Sequence, residues 1–159
     1  MRAPTGPREP VRSACYPARL LRSVTDAAVL HHVVFPPRWM RLLALLGFTV
    51  VAANLFWHGS QPYAVGAIPP PWDKLVHLVL YGCFGAAAWV ALGGVRPAAD
   101  WLAPMAAIAV GVADEVAQGF NPGRSVGVDD VVADAIGAVL AVAILSMLRE
   151  RLRRTGVPS

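Results

Sequence analysis

The chain has 159 residues, 56% hydrophobic and 15% charged, with a formal net charge of +4 and a mean hydropathy of +0.52. Soluble domains run at roughly 45–50% apolar and about 25% charged, so the composition argues against an ordinary soluble domain and for one domain whose core faces lipid as well as protein. The basic excess is almost all arginine, Lys74 being the only lysine, and its placement at chain ends and turns gives no reason to invoke nucleic acid. Cys15 and Cys83 fit neither a disulfide framework nor a metal spacing.

Residues 1–37 form an Arg- and Pro-rich segment, with Arg2, Arg8, Arg12, Arg19 and Arg22 against Glu9 and Asp26. No cleavable signal sequence is evident in it. Its second half could lie on the membrane as an amphipathic helix, with arginines among anionic headgroups, or be a disordered tail. The adjacent His31 and His32 match no metal or catalytic spacing in the sequence and are left unassigned. The first apolar span covers about 38–57, close to the roughly 20 residues a bilayer requires. Arg38, Trp39 and Arg41 anchor one end and Trp57 the other.

Pro69-Pro70-Pro71 then stiffens a loop, and a second span follows over about 74–93, with Asp73 placed to serve as its N-cap. A Gly93-Gly94 turn leads to a third span over about 100–118, and an Asn121-Pro122-Gly123 turn to a fourth over about 128–147. Residues 149–159 read as a basic tail. The expected fold class is all-α, a polytopic membrane protein built as a four-helix transmembrane bundle over 38–148.

Arginines gather in the N-terminal segment, the Arg96 turn and the C-terminal tail, whereas the other two loops carry only Lys74 and Arg124. The positive-inside rule therefore puts both termini in the cytoplasm. Under that topology Asp73, Lys74 and His77, then Asp114, Glu115 and Gln118, then Arg124 and Ser125, then Asp129, Asp130 and Asp134 all reach the extracytoplasmic face. Ionisable groups near the hydrocarbon core cost about 2.5–3.5 kcal/mol each even on the mildest scale. Three segments delivering them to one place calls for a reason.

Helical spacing sharpens the expectation. At about 100° per residue, Asp73 and His77 share a face continued by Tyr81 and Phe84, and Asp130 and Asp134 share one continued by Gly137 and Ala141. Gly111 and Ala107 lie beneath the acids of the third helix, and small residues there permit close helix approach. Part of the pattern has a plain explanation: Asp73, Asp129 and Asp130 at helix N-termini are favoured by the dipole alone, and Lys74 could be a snorkelling anchor. Asp114 and Glu115 resist it. They sit at the negative end of their helix and should need cations, metal or protons, with Arg124, Lys74 and His77 the nearest candidates.

The ordered series Asp73-Lys74-x-x-His77, Asp114-Glu115-x-x-Gln118, Pro122-Gly123-Arg124-Ser125 and Asp130-x-x-x-Asp134-x-x-Gly137 resembles the VanZ-like family of bacterial membrane proteins. The resemblance spans about Trp72 to Leu145 and leaves the N-terminal tail outside. Val126-Gly127 departs from the Gly or Ser often found after the Arg-Ser pair. The family's founding member belongs to a glycopeptide-resistance cluster and raises resistance to teicoplanin. The resemblance therefore implies a multi-pass protein of the bacterial cytoplasmic membrane with an envelope role.

Three readings of the polar cluster follow. In the first, an accessory or binding protein engages a lipid-linked cell-wall precursor or a glycopeptide antibiotic. Arg124 holds a phosphate or carboxylate, while Asp73, Lys74, His77, Asp114, Glu115, Gln118, Ser125, Asp130 and Asp134 complete the pocket. In the second, a membrane enzyme uses a divalent metal held by some of His77, Glu115, Asp130 and Asp134, with Glu115, Asp114 and His77 as catalytic candidates. In the third, the residues are a structural network. Proton-coupled transport is disfavoured because nothing polar is expected in the cytoplasmic halves of the helices. Membrane lipids are the one partner each reading shares, and oligomeric state is left open.

Overall fold

The computed structural model describes residues 32–61, 63, 66, 68–124 and 126–154. The expectations for residues 1–31, the surface helix and His31 among them, and for Ser125 lie outside these. Among the described residues the long elements are four helices and there is no strand: α1 (Arg38–Gly59), α2 (Trp72–Ala91), α3 (Ala99–Gln118) and α4 (Val128–Arg154).

The helix boundaries follow from local chemistry. Pro37 caps α1 in an extended conformation, and Pro71 stands at the N-cap of α2. Asp73 is thus a first-turn acid rather than the expected N-cap. The turn already closes at Trp72, whose N–H reaches the Pro69 carbonyl at 3.0 Å, and a proline at a helix start sacrifices no bond. The Asp73 carboxylate turns instead toward Lys74 Nζ, 3.2 Å away. Pro104 lies inside α3 and is buried there without breaking it. In α4 the helix outlasts its apolar stretch and carries Arg149, Arg151, Arg153 and Arg154 to its C-terminal end, where the dipole favours cations.

Tyr81, Phe84, Ala107 and Ala138 form the buried centre, with Phe48 of α1 edge-on to Phe84 at 5.0 Å between ring centroids. Glycines set the spacing of α2 and α4. A Cβ on Gly137 would run into the Leu78 carbonyl, and one on Gly85 would lie 2.9 Å from the Ala138 carbonyl oxygen. Backbone meeting backbone this closely is the small-residue packing of membrane helices. α1 is different, with no fully buried residue of its own.

Among the described residues, three helices rather than the expected four are long and apolar enough to cross a membrane, namely α1, α2 and α4. α3 matches α2 in length at 20 residues but falls short in composition, because Asp100 near its start and Asp114, Glu115 and Gln118 near its end interrupt it. Those same side chains are buried or half-buried against neighbouring helices, so the deficit lies on surfaces that face protein.

The end of the molecule holding Gly94 and Arg149 is also more polar than expected. Arg149 donates from Nη2 to Asp100 Oδ2 at 2.6 Å and from Nη1 to Asp100 Oδ1 at 3.0 Å and to the Gly94 carbonyl at 2.6 Å. Trp89 Nε1 and Ser146 Oγ donate to the same Asp100 Oδ1, at 2.9 and 2.7 Å. One carboxylate thus ties α2, α3 and α4 together. Across from it Arg41 of α1 donates to the Ala91 carbonyl at 3.1 Å.

Candidate functional site

At the opposite end, the start of α2, the end of α3 and the start of α4 meet around a dense polar cluster. Lys74 Nζ sits among three carboxylates: it binds Asp130 Oδ1, lies 2.7 Å from Asp129 Oδ2 and 3.2 Å from Asp73 Oδ2. Deeper in, His77 Nδ1 is 2.9 Å from Asp134 Oδ1. The imidazole stacks on Tyr81, with centroids 6.0 Å apart and rings 7° from parallel. Gly111 supplies the room, since a Cβ there would fall within 3.1 Å of the Tyr81 ring and closer still to the Asp134 carboxylate.

The acids of α3 are almost wholly buried, Asp114 and Glu115 each at 2% exposure. The expected cations do not bind them directly. Gln118 Nε2 donates to Asp114 Oδ2 at 2.8 Å, and the Gly127 N–H donates to Glu115 Oε2 at 2.8 Å. Arg124 Nη1 donates instead to Gln118 Oε1 at 2.6 Å, so its charge reaches Asp114 through an amide relay. Arg124 lies within reach because the Asn121–Arg124 turn folds back on the helix end, Arg124 N–H meeting the Asn121 carbonyl at 3.2 Å.

A cavity of about 430 Å³ opens beside this network, lined on its polar side by Asp73, His77, Asp114, Gln118, Arg124 and Asp130. Leu55, His58 and Gly59 of α1 close the other side. His58 was not anticipated as a pocket residue. The available signal was its position beside Trp57, at the interfacial end of α1 that faces the other acids. Tyr81 was legible only as the inward continuation of the face that Asp73 and His77 share, and its hydroxyl is buried with no hydrogen-bond partner among the described residues.

The charge balance is uneven. Asp73, Asp114, Glu115, Asp129, Asp130 and Asp134 face two permanent cations, Lys74 and Arg124. Two carboxylate oxygens deep in the cluster, Glu115 Oε1 and Asp134 Oδ2, have no hydrogen-bond partner among the described residues. A buried unsatisfied polar atom costs about 1–3 kcal/mol, and more when it carries charge. One nitrogen or oxygen from each of His77, Glu115 and Asp130 lies within 4.8 Å of the others. These groups can hold a cation, or present acids and an arginine to a polar ligand.

Fold and site together define a helical membrane protein that gathers six of its acidic side chains, Asp73, Asp114, Glu115, Asp129, Asp130 and Asp134, at one end of its bundle. The family-level assignment agrees and is specific: the chain belongs to the VanZ/LLP1 family, whose model matches residues 20–149. The match begins well before Trp72, so α1 and part of the N-terminal tail belong to the family region, contrary to the narrower extent read from the motifs. No curated protein and no solved structure matches the chain.

Proposed function

We propose that this protein is a four-span membrane protein of the bacterial envelope, with both termini cytoplasmic, whose extracytoplasmic pocket binds an envelope component and so limits glycopeptide action of the teicoplanin type. The topology is supported by connectivity. α3 is joined to its neighbours by short connections and is tied at both ends, to α4 through Asp100–Arg149 and to the residue that leads into α4 through Glu115–Gly127. If α2 and α4 cross the bilayer, α3 crosses between them. The orientation is supported by Arg41, Arg96, Arg149, Arg151, Arg153 and Arg154 gathering at the end opposite the cluster.

The observation that carries the binding role is the 430 Å³ cavity with Arg124 and His77 on the same wall as Asp73, Asp114, Gln118 and Asp130. Pockets of about 300–1,000 Å³ with a few converging polar groups suit small ligands or headgroups. Arg124 is the group suited to a phosphate or carboxylate, and the glycopeptide link rests on the family resemblance. The test is teicoplanin and vancomycin susceptibility of a host expressing wild type, Glu115→Gln or Arg124→Ala, with membrane abundance measured in parallel. Protection by wild type, lost in equally abundant Arg124→Ala, is the expected result. No protection by abundant wild type overturns the resistance role.

A further inference from the structure

We propose that the cluster contains a divalent transition-metal site of the Zn²⁺ or Mn²⁺ class, with His77, Glu115 and Asp130 as ligands and Asp134 as the residue that positions His77. The inference deepens the binding role, because the ion would lie in the wall of the same pocket. Its own readout is metal content, independent of antibiotic protection.

The hydrogen bonds around the three residues leave a ligand atom on each. His77 Nδ1 is engaged by Asp134 Oδ1 at 2.9 Å. With the Nδ1 proton donated to that carboxylate, Nε2 is the unprotonated nitrogen. This carboxylate–histidine pairing is the arrangement that orients metal-bound imidazoles. Glu115 Oε2 takes the Gly127 N–H, while Oε1 is buried and without a partner among the described residues. Lys74 occupies Asp130 Oδ1, leaving the second oxygen of that carboxylate. One imidazole and two carboxylates form the mixed N/O set that Zn²⁺ and Mn²⁺ accept.

The geometry is close to what such an ion needs. Bonds of about 2.0–2.2 Å at tetrahedral angles put ligand atoms roughly 3.4 Å apart. One ligand atom from each of the three residues lies within 4.8 Å of the others, so the side chains are gathered closely enough for carboxylate and imidazole rotation to close the set. Two features favour a cation over simple protonation of the acids. The orphaned Glu115 Oε1 belongs to a side chain only 2% exposed. It also stands in a set of six carboxylates facing two permanent cations, a charge deficit that a divalent ion reduces. Lys74 does not block the ion, because its contacts are with Asp73, Asp129 and one oxygen of Asp130.

The test uses the untagged full-length chain in detergent or nanodiscs, stripped with EDTA and dialysed against Zn²⁺ or Mn²⁺, with bound metal measured by mass spectrometry. About one ion per wild-type chain is expected. His77→Ala and Glu115→Gln should each lose at least tenfold in affinity. Asp134→Asn should lose about 10–100-fold, as expected for an outer partner, while keeping the wild-type helical circular dichroism. Cys83→Ser should bind as wild type does. Absence of stoichiometric binding to wild type by either metal overturns the proposal, as does binding that persists in His77→Ala or disappears with Cys83. If wild type binds no metal while Arg124→Ala still abolishes protection, the metal site falls and the binding role stands.

Discussion

Replacing Asp100 by alanine removes the carboxylate that accepts from Arg149 twice, from Trp89 and from Ser146. Arg149 is 9% exposed, so the variant leaves a guanidinium largely buried with the Gly94 carbonyl as its remaining neutral acceptor. Breaking a buried pair from one side costs about 3–5 kcal/mol. The Asp100 side chain is 32% exposed, which places the loss toward about 3 kcal/mol through partial solvent screening. Removing both partners in Asp100→Ala/Arg149→Met abolishes the stranded charge, so the double variant should be no worse than the single and could recover part of the loss. The assay is reversible unfolding in mixed micelles, followed by circular dichroism across the two singles and the double. A single-variant loss below about 1 kcal/mol, or strict additivity in the cycle, would refute the idea that this pair ties three helices together.

Other expectations follow from particular contacts. Gly137→Ala should cost about 1–3 kcal/mol, because its Cβ would meet the Leu78 carbonyl, whereas Gly47→Ala, with nothing within 4 Å, should be neutral or slightly stabilising in the same unfolding assay. Arg124→Ala should keep wild-type abundance on a membrane immunoblot while losing antibiotic protection; loss of abundance would make Arg124 a folding residue instead. For topology, Asn121→Cys should react with a membrane-impermeant maleimide in intact spheroplasts, and Val95→Cys only after permeabilisation, both in a background lacking Cys15 and Cys83. The reverse pattern would invert the orientation.

Much of this architecture was legible because hydropathy and punctuation agree. The prolines before α1 and α2, the Gly93-Gly94 turn and the Asn121–Gly123 turn bound the helices in the sequence as they do in the structure. The side chains that meet at the cluster could be named because adjacent helices of a hairpin must bring the same ends together. Pairing within the cluster could not be read. Arg124 was expected against an acid and instead contacts Gln118, since a short turn limits its reach and a neutral amide can relay between the two. The Asp100–Arg149 pair was missed for another reason. Its partners are 49 residues apart, and Arg149 looked like the first residue of a tail because the apolar stretch ends before the helix does. A carboxylate in the first turn of a helix that then stays apolar until Asp114, near the basic end of the molecule, was the signal that such a partner exists.

α1 has no residue fully withdrawn from its surroundings, yet Leu55, His58 and Gly59 complete the wall of the cavity. Behind the polar wall, α2 and α4 are held by glycine-to-backbone contacts and α3 packs Gly111 against the Tyr81 and Asp134 side chains, so the enclosure joins a closely packed core to one lightly fastened panel. In a bilayer the fastening is weaker still, because acyl chains are as apolar as the leucines they would replace and little is lost when lipid takes the place of protein. Under the proposed four-span topology, α1 is therefore the side of the cavity that lipid can most readily replace. An amphiphile with a charged head is the kind of ligand such a boundary would suit, its head toward Arg124 and His77 and its tail along α1.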